Sequence, residues 1–292
     1  MAVRPHPRIP FQAWRGGEKE DTRFVERQYE RQKCPSRLFH RKIGDVNMKR
    51  ISICLFIACL SFPLTGIAKG NYEEDTIQTS DGDLKITFLG HATLMFTFQD
   101  KIVHVDPVSR EADYTRLPRA DLILITHEHG DHLDPAAIRS IRTDETVVVL
   151  TQLCAEKVQG GIVMKNGDEK DLCGLHIRAV PAYNIVHKQG NGQPFHPKGT
   201  GNGYVIQFGD KRVYVAGDTE NIPEMKKLEE IDIAFLPMNL PFTMTPEMVA
   251  EAAQVFKPKI LYPYHYGDTD TGELLRRMKD IDGIEVRIRN MK

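Results

Sequence analysis

Between residues 85 and 105 the chain carries three short runs, at 85–89, 92–98 and 101–105, rich in β-branched and aromatic residues and separated by Gly90-His91 and Gln99-Asp100. Runs of this kind bounded by turn residues predict strands, and their close succession predicts an antiparallel meander. The pattern then changes. Residues 122–126 and 147–150 are continuous apolar runs, which predict strands covered on both faces. Between them, residues 135–142 predict a short helix with Pro135 in its first turn. Further strands are predicted at 174–181, at 203–216 as a hairpin through Gly209-Asp210, and at 231–238, 260–263 and 284–288. Thr245 as N-cap, Pro246 at the first helical position and Glu247 in the first turn predict a helix over 245–256, and a shorter one follows at 274–279. Strands come first and then alternate with helices, with no linker, repeat or low-complexity tract. That order predicts one α/β (α+β) domain over residues 69–292, with two sheets and helices outside them.

The first 68 residues read differently. Met48-Lys49-Arg50 precedes an apolar stretch that ends in the small-residue pattern Gly66-Ile67-Ala68. This layout predicts a secretory signal at 48–68, too short and too broken by Pro63 to span a membrane, and hence export, with a periplasmic location. Ile57-Ala58-Cys59 offers a lipoprotein-type anchor at Cys59 as the alternative. Residues 1–47 hold eight arginines and little hydrophobic periodicity, and read as a segment lying upstream of a start at Met48. Charge follows the same division. Residues 1–68 carry 13 Lys+Arg against 6 Asp+Glu, whereas residues 69–292 carry 26 against 34. An acidic domain is a poor match for a phosphate backbone, so nucleic acid is excluded as a partner. A composition of 41% hydrophobic and 27% charged residues is that of an ordinary globular protein. Cleavage after Ala68 leaves only Cys154 and Cys173, which either pair or stand as buried thiols.

Candidate chemistry concentrates in His127-Glu128-His129-Gly130-Asp131-His132, between a predicted strand and a predicted helix. Four potential ligands in six positions at a strand end, His127, His129, Asp131 and His132, supply the donors that borderline divalent ions such as zinc prefer, with Zn–N distances of ~2.0–2.1 Å. Asp106, Asp218 and His265 also fall at predicted strand ends, where they can share one rim. There is no Gly-x-Ser-x-Gly nucleophile motif. Gly199, Gly201 and Gly203 lead into a strand instead of a helix, which predicts a loop over the metal edge and not a dinucleotide cradle. Phe242 and Met244 are either apolar walls of the pocket or ordinary packing under the next helix.

The run at 127–132, with Asp106-Pro107 before it and Ala216-Gly217-Asp218-Thr219 and His265 after it, resembles the metallo-β-lactamase-fold hydrolase superfamily over about residues 84–288. Gly90-His91-Ala92-Thr93, and Lys257-Pro258-Lys259 leading to Tyr264-His265-Tyr266-Gly267, resemble the branch of ascorbate-phosphate lactonase-like and N-acyl-phosphatidylethanolamine phospholipase D-like proteins. The resemblance implies a four-layer αββα sandwich with one or two metal ions at one edge. It implies that His127 and His129 hold the first ion, that Asp131, His132 and His265 hold the second, and that Asp218 bridges them. Asp106 then orients a ligand histidine. His91 either contacts substrate or is a hydrogen-bonded structural residue.

One position departs from the family. Where a third histidine for the first ion is usual, this chain has Val180-Pro181-Ala182-Tyr183-Asn184. His196, beside the rigid Pro197, is the first candidate replacement and His187 the second; Tyr183 and Asn184 are placed beside the ligands or the substrate. The implied activity is hydrolysis of a small-molecule ester, lactone or phosphodiester by hydroxide on Zn²⁺, with Mn²⁺ or Fe²⁺ as alternatives, and with Asp131 handling the water's proton. Members with iron redox chemistry tend to carry Glu where His129 stands. A non-catalytic binder with an incomplete first site is the competing expectation.

Overall fold

A computed structural model describes residues 72–292; the signal, the upstream segment and Cys59 lie outside the described residues. Glu73–Thr79 (β1), Gly82–Gly90 (β2), Thr93–Phe98 (β3) and Lys101–Val105 (β4) form the antiparallel meander. Leu122–Leu124 (β5), Val147–Leu150 (β6) and Ile162–Val163 (β7) extend it in parallel into a seven-stranded sheet. The second sheet repeats the scheme. Glu169–Leu172 (β8), Leu175–Ala182 (β9), Gly201–Phe208 (β10) and Lys211–Val215 (β11) pair antiparallel. Ile233–Pro237 (β12), Ile260–Tyr264 (β13) and Glu285–Val286 (β14) follow in parallel.

The sheets face each other through aromatic residues at strand-alternate positions. Phe96 of β3 meets Phe208 of β10 at 5.4 Å and Phe235 of β12 at 5.9 Å between ring centroids, and Phe88 of β2 meets Tyr262 of β13 at 5.1 Å. Helix Pro135–Ile141 (α1) buries Ala137, Ile138 and Ile141 with Ile123 and Val148 on the outer face of the first sheet, beside the short Gln152–Ala155 (α2). Helix Pro246–Phe256 (α3) covers the second sheet, with Tyr214 edge-on to Phe256 at 5.8 Å, and Thr271–Met278 (α4) lies against α3. Thr245 caps α3 by accepting from the Met248 amide at 3.1 Å. The layers are therefore helix, sheet, sheet, helix. Cys154 and Cys173 are both buried and are not joined in a disulfide.

Two local expectations are corrected. Gly201 is not in a loop but inside β10, which begins two residues ahead of the strand predicted from Gly203. A Cβ on Gly203 would stand 2.7 Å from the Ala216 carbonyl oxygen, so the missing side chain lets two backbones close up. The sequence pattern also gives no strand at β1, whose residues are charged and largely exposed. It is an edge strand, held by its ladder to β2 and by Asp75, which accepts from Arg289 at 2.7 Å and also binds Arg287 and Tyr262.

Inside the first sheet, His104 of β4 is wholly buried and its Nε2 lies 3.1 Å from the Pro118 carbonyl. Burial pushes its pKa down to about 4 from 6.5, against the pull of that hydrogen bond. The neutral ring thus favours folding fully above pH 6.5, and this contribution is lost as pH falls from 6.5 to 4. Acidification to pH 4 is expected to cost about 3 kcal/mol through this group. Urea unfolding at pH 7 and pH 4 checks it: the non-titrating His104→Gln should lose about that much less than wild type on acidification.

Candidate metal centre

Three turns at the sheet edge place the site by holding non-glycine residues in the left-handed backbone region. His91 (φ 49°) follows β2, Asp106 (φ 45°) follows β4 and His265 (φ 48°) follows β13. Such conformations persist where surrounding contacts over-determine them. Here the sheets are stitched together at the rim: the His265 amide donates to the His91 carbonyl at 2.9 Å, and the Asn202 amide to the Thr126 carbonyl at 2.9 Å. Gly217 (φ +66°) completes the rim, since a Cβ there would meet the Asn202 carbonyl at 2.8 Å and Thr126 Cβ at 3.1 Å.

Asp218 stands at the centre. Its Oδ1 is 3.3 Å from His132 Nε2, and its Oδ2 is 3.3 Å from His196 Nε2, 3.5 Å from His265 Nε2 and 3.9 Å from His127 Nε2. On one side His127, His129 and His196 bring ring nitrogens within 4.8 Å of one another. On the other, Asp131 Oδ2 lies 3.4 Å from both His265 Nε2 and His91 Nε2, and 4.0 Å from His132 Nε2. Hence His127, His129, Asp131, His132, Asp218 and His265 all reach one edge, and of the two candidates for the missing ligand His196 joins them. His187 does not join the ring cluster; its Nδ1 lies 2.8 Å from Glu220.

Supporting contacts fix ring orientation. Asp106, wholly buried, lies 2.8 Å from His132 Nδ1 through Oδ2 and accepts from the Thr126 amide at 2.8 Å and the Thr126 hydroxyl at 2.6 Å. His132 therefore turns Nε2 toward Asp218. His91 spans from the Lys292 carbonyl (Nδ1, 2.9 Å) to Asp131. Asn184 Oδ1 accepts from the amide and Nδ1 of His196 at 3.0 and 2.6 Å. Tyr183 is placed otherwise than expected: its hydroxyl turns away to Glu224 (2.8 Å) and Lys198 (3.2 Å), while its backbone clamps Thr219 and Glu220. Met244 is fully buried in the core, whereas Phe242 is exposed and packs edge-on to Phe195 at 5.0 Å. Phe195 in turn lines the cleft that holds His127, His129 and His196.

The electrostatics are those of a cation site. Burial, reinforced by His132 and His196, holds His127 well below the usual imidazole range, so its ring is neutral. Burial alone would raise Asp218, but the imidazoles of His265 and His132 hold it well below the usual carboxylate range. Asp131 is likewise held down, by His265 and His91 against its own desolvation. His132 is pushed up in spite of burial because the Asp218 and Asp106 carboxylates flank it. A cation against Nε2 would stand where the Asp218 carboxylate otherwise favours a proton. Glu220 had no sequence signal. It follows Asp218-Thr219 as an unremarkable polar residue, yet it is fully buried and anchors the segment around Asn184.

Comparison with known proteins agrees with this geometry. Residues 85–265 match the model of the β-lactamase superfamily domain. A UPF0173 metal-dependent hydrolase of Pelotomaculum thermopropionicum is 31% identical over 220 residues, 70% of this chain and 96% of that protein. A solved structure from Parabacteroides distasonis, carrying the assignment of metal-dependent hydrolase, is 50% identical, with TM-score 0.72, 76% of this chain and all of that one covered. Igni18, a metallo hydrolase from Ignicoccus hospitalis, shares 25% identity at TM-score 0.59, covering 71% of this chain and 95% of its own. The chain belongs to the metallo-β-lactamase superfamily and, within it, to the UPF0173 metal-dependent hydrolases.

Proposed function

We propose that this protein is a zinc-dependent hydrolase of an ester, lactone or phosphodiester, with two ion positions to which Asp218 would contribute in common. One observation carries the metal assignment. His127 Nε2, His132 Nε2, Asp218 Oδ1 and both ring nitrogens of His265 are buried without a hydrogen-bond partner. Each such atom costs about 1–3 kcal/mol if nothing satisfies it. Four of the five turn toward one another across a few ångströms, so one or two cations would satisfy them together. The donors suit zinc: His127, His129 and His196 match a three-imidazole catalytic site with an open position, and Asp131, His132 and His265 suit a second ion.

Bound zinc would supply a Lewis acid and lower the pKa of water from 15.7 toward ~7. The chain's own groups do the rest. Asp131, ionised and half-exposed, is placed to orient a water and take its proton. His129 is exposed at the mouth of the cleft, where substrate enters. Phe195 lines that cleft and Phe242 packs edge-on against it, so the pair would offer an apolar surface to a substrate entering there. The narrower likeness to lactonase-like and phospholipase D-like proteins favours lactones and phosphodiesters over β-lactams.

Metal analysis with activity against aryl phosphodiesters, lactones and β-lactams tests this. Bound zinc and chelator-sensitive turnover on one of the first two classes is the expected result. Zinc without turnover on any panel member returns the protein to the binder reading. We extend the proposal to export after Ala68: the secreted form should begin at Lys69, and an intact Met1 in the periplasmic fraction would refute it.

A further inference from the structure

One ligand of the proposed first ion sits on no regular element. His196 lies in the long connection between β9 and β10, where ordering the backbone costs conformational entropy. What holds it is Glu220. This carboxylate is fully buried and accepts from the Ile185 and Val186 amides through Oε2, both at 2.7 Å. Through Oε1 it accepts from the His187 amide at 2.6 Å and from Asn184 Nδ2 at 3.1 Å. Asn184 Nδ2 also donates to the Phe242 carbonyl at 2.9 Å. With its amide nitrogen facing two acceptors, Asn184 can present only its oxygen to His196. That oxygen takes the His196 Nδ1–H at 2.6 Å, and the Asn184 amide donates to the His196 carbonyl at 2.9 Å. The tautomer is thereby set, and the lone pair of His196 is on Nε2, facing Asp218 at 3.3 Å.

Resting on the two-ion reading above, we infer that Glu220 is a positioning residue for the first ion: acting through Asn184, it fixes both the place and the tautomer of His196. The pair replaces a strand as the carrier of the third imidazole. Glutamine cannot substitute for Glu220, because both carboxylate oxygens accept from N–H donors and an amide nitrogen on either side would face a donor.

The test compares zinc content and zinc affinity in a chelator-buffered titration of wild type, His196→Ala, Asn184→Ala, Glu220→Gln and Lys198→Ala. His196→Ala defines the ion that His196 helps to hold. Asn184→Ala and Glu220→Gln should reproduce that deficit, weakening this ion about 10–100-fold and leaving the other. Lys198→Ala removes the loop's other anchor, the contacts to Glu224 (2.6 Å) and Tyr183 (3.2 Å), and should retain wild-type zinc. Asn184→Ala keeps the three backbone donors on Glu220, so it carries the test should Glu220→Gln fail to fold. Wild-type affinity in Asn184→Ala, or an equal loss in Lys198→Ala, overturns the inference. Wild-type zinc in His196→Ala overturns the reading of His196 as a ligand, and the inference with it. A zinc-free wild type overturns the metal reading itself.

Discussion

Asp218→Ala is expected to empty both metal positions at once. No other carboxylate among the described residues lies near rings of both groups, with His196 and His127 on one side and His132 and His265 on the other. Removing it takes away the carboxylate that both groups of rings share, and with it the negative charge that would offset the mutual repulsion of two cations held there. Hydrolysis should fall by at least about 10³-fold, on the order of 4 kcal/mol of transition-state stabilisation. A binding readout separates this from a folding defect. Zinc at about 1,000 times its Kd should stabilise wild type by roughly 4 kcal/mol and raise its melting temperature, because it binds only the folded chain. The variant should melt at one temperature with and without zinc. A zinc-dependent rise equal to that of wild type would contradict the central place given to Asp218.

How much of this was readable in the sequence depends on the range over which each feature is encoded. The run 127–132 is local: its spacing and its position after an apolar strand suffice to mark it. Asp106, Asp218 and His265 were legible because each ends a strand whose own pattern is clear. Position at a strand end says nothing of geometry, however. The left-handed turns at His91, Asp106 and His265 that aim these side chains arise from pairing between distant segments. His196 was findable only as a histidine beside a proline in the right loop. The device that holds it was not, because Glu220 is some 24 residues away in sequence and carries no local mark. Edge strand β1 was invisible for a related reason. Its charged residues contradict a buried strand, and its partners Arg287 and Arg289 lie at the far end of the chain. Gly201 misled in the opposite direction: glycine reads as loop, yet here it permits a strand to approach its neighbour closely.

The second large effect is expected at Asp106, and it joins folding to metal binding in one side chain. Asp106→Ala would leave the Thr126 amide, the Thr126 hydroxyl and His132 Nδ1 without their acceptor in a place water does not reach. Each orphaned donor costs about 1–3 kcal/mol, so a loss of at least about 3 kcal/mol is expected in metal-free urea unfolding. Independently of that loss, His132 is freed to rotate or to take the wrong tautomer, and affinity for the second ion should fall about 10–100-fold. Asp106→Asn separates the two effects. The amide keeps the shape and one acceptor oxygen, which can serve Thr126, but it then turns an N–H toward His132 Nδ1 and selects the tautomer with its proton on Nε2. Stability should therefore recover in part while zinc affinity stays low, measured by the same urea titration and by zinc competition with a chelator. If asparagine restored both together, Asp106 would serve as a hydrogen-bond acceptor for the turn alone, and the orientation of His132 would have to come from Thr126, whose hydroxyl lies 3.4 Å from the same ring nitrogen.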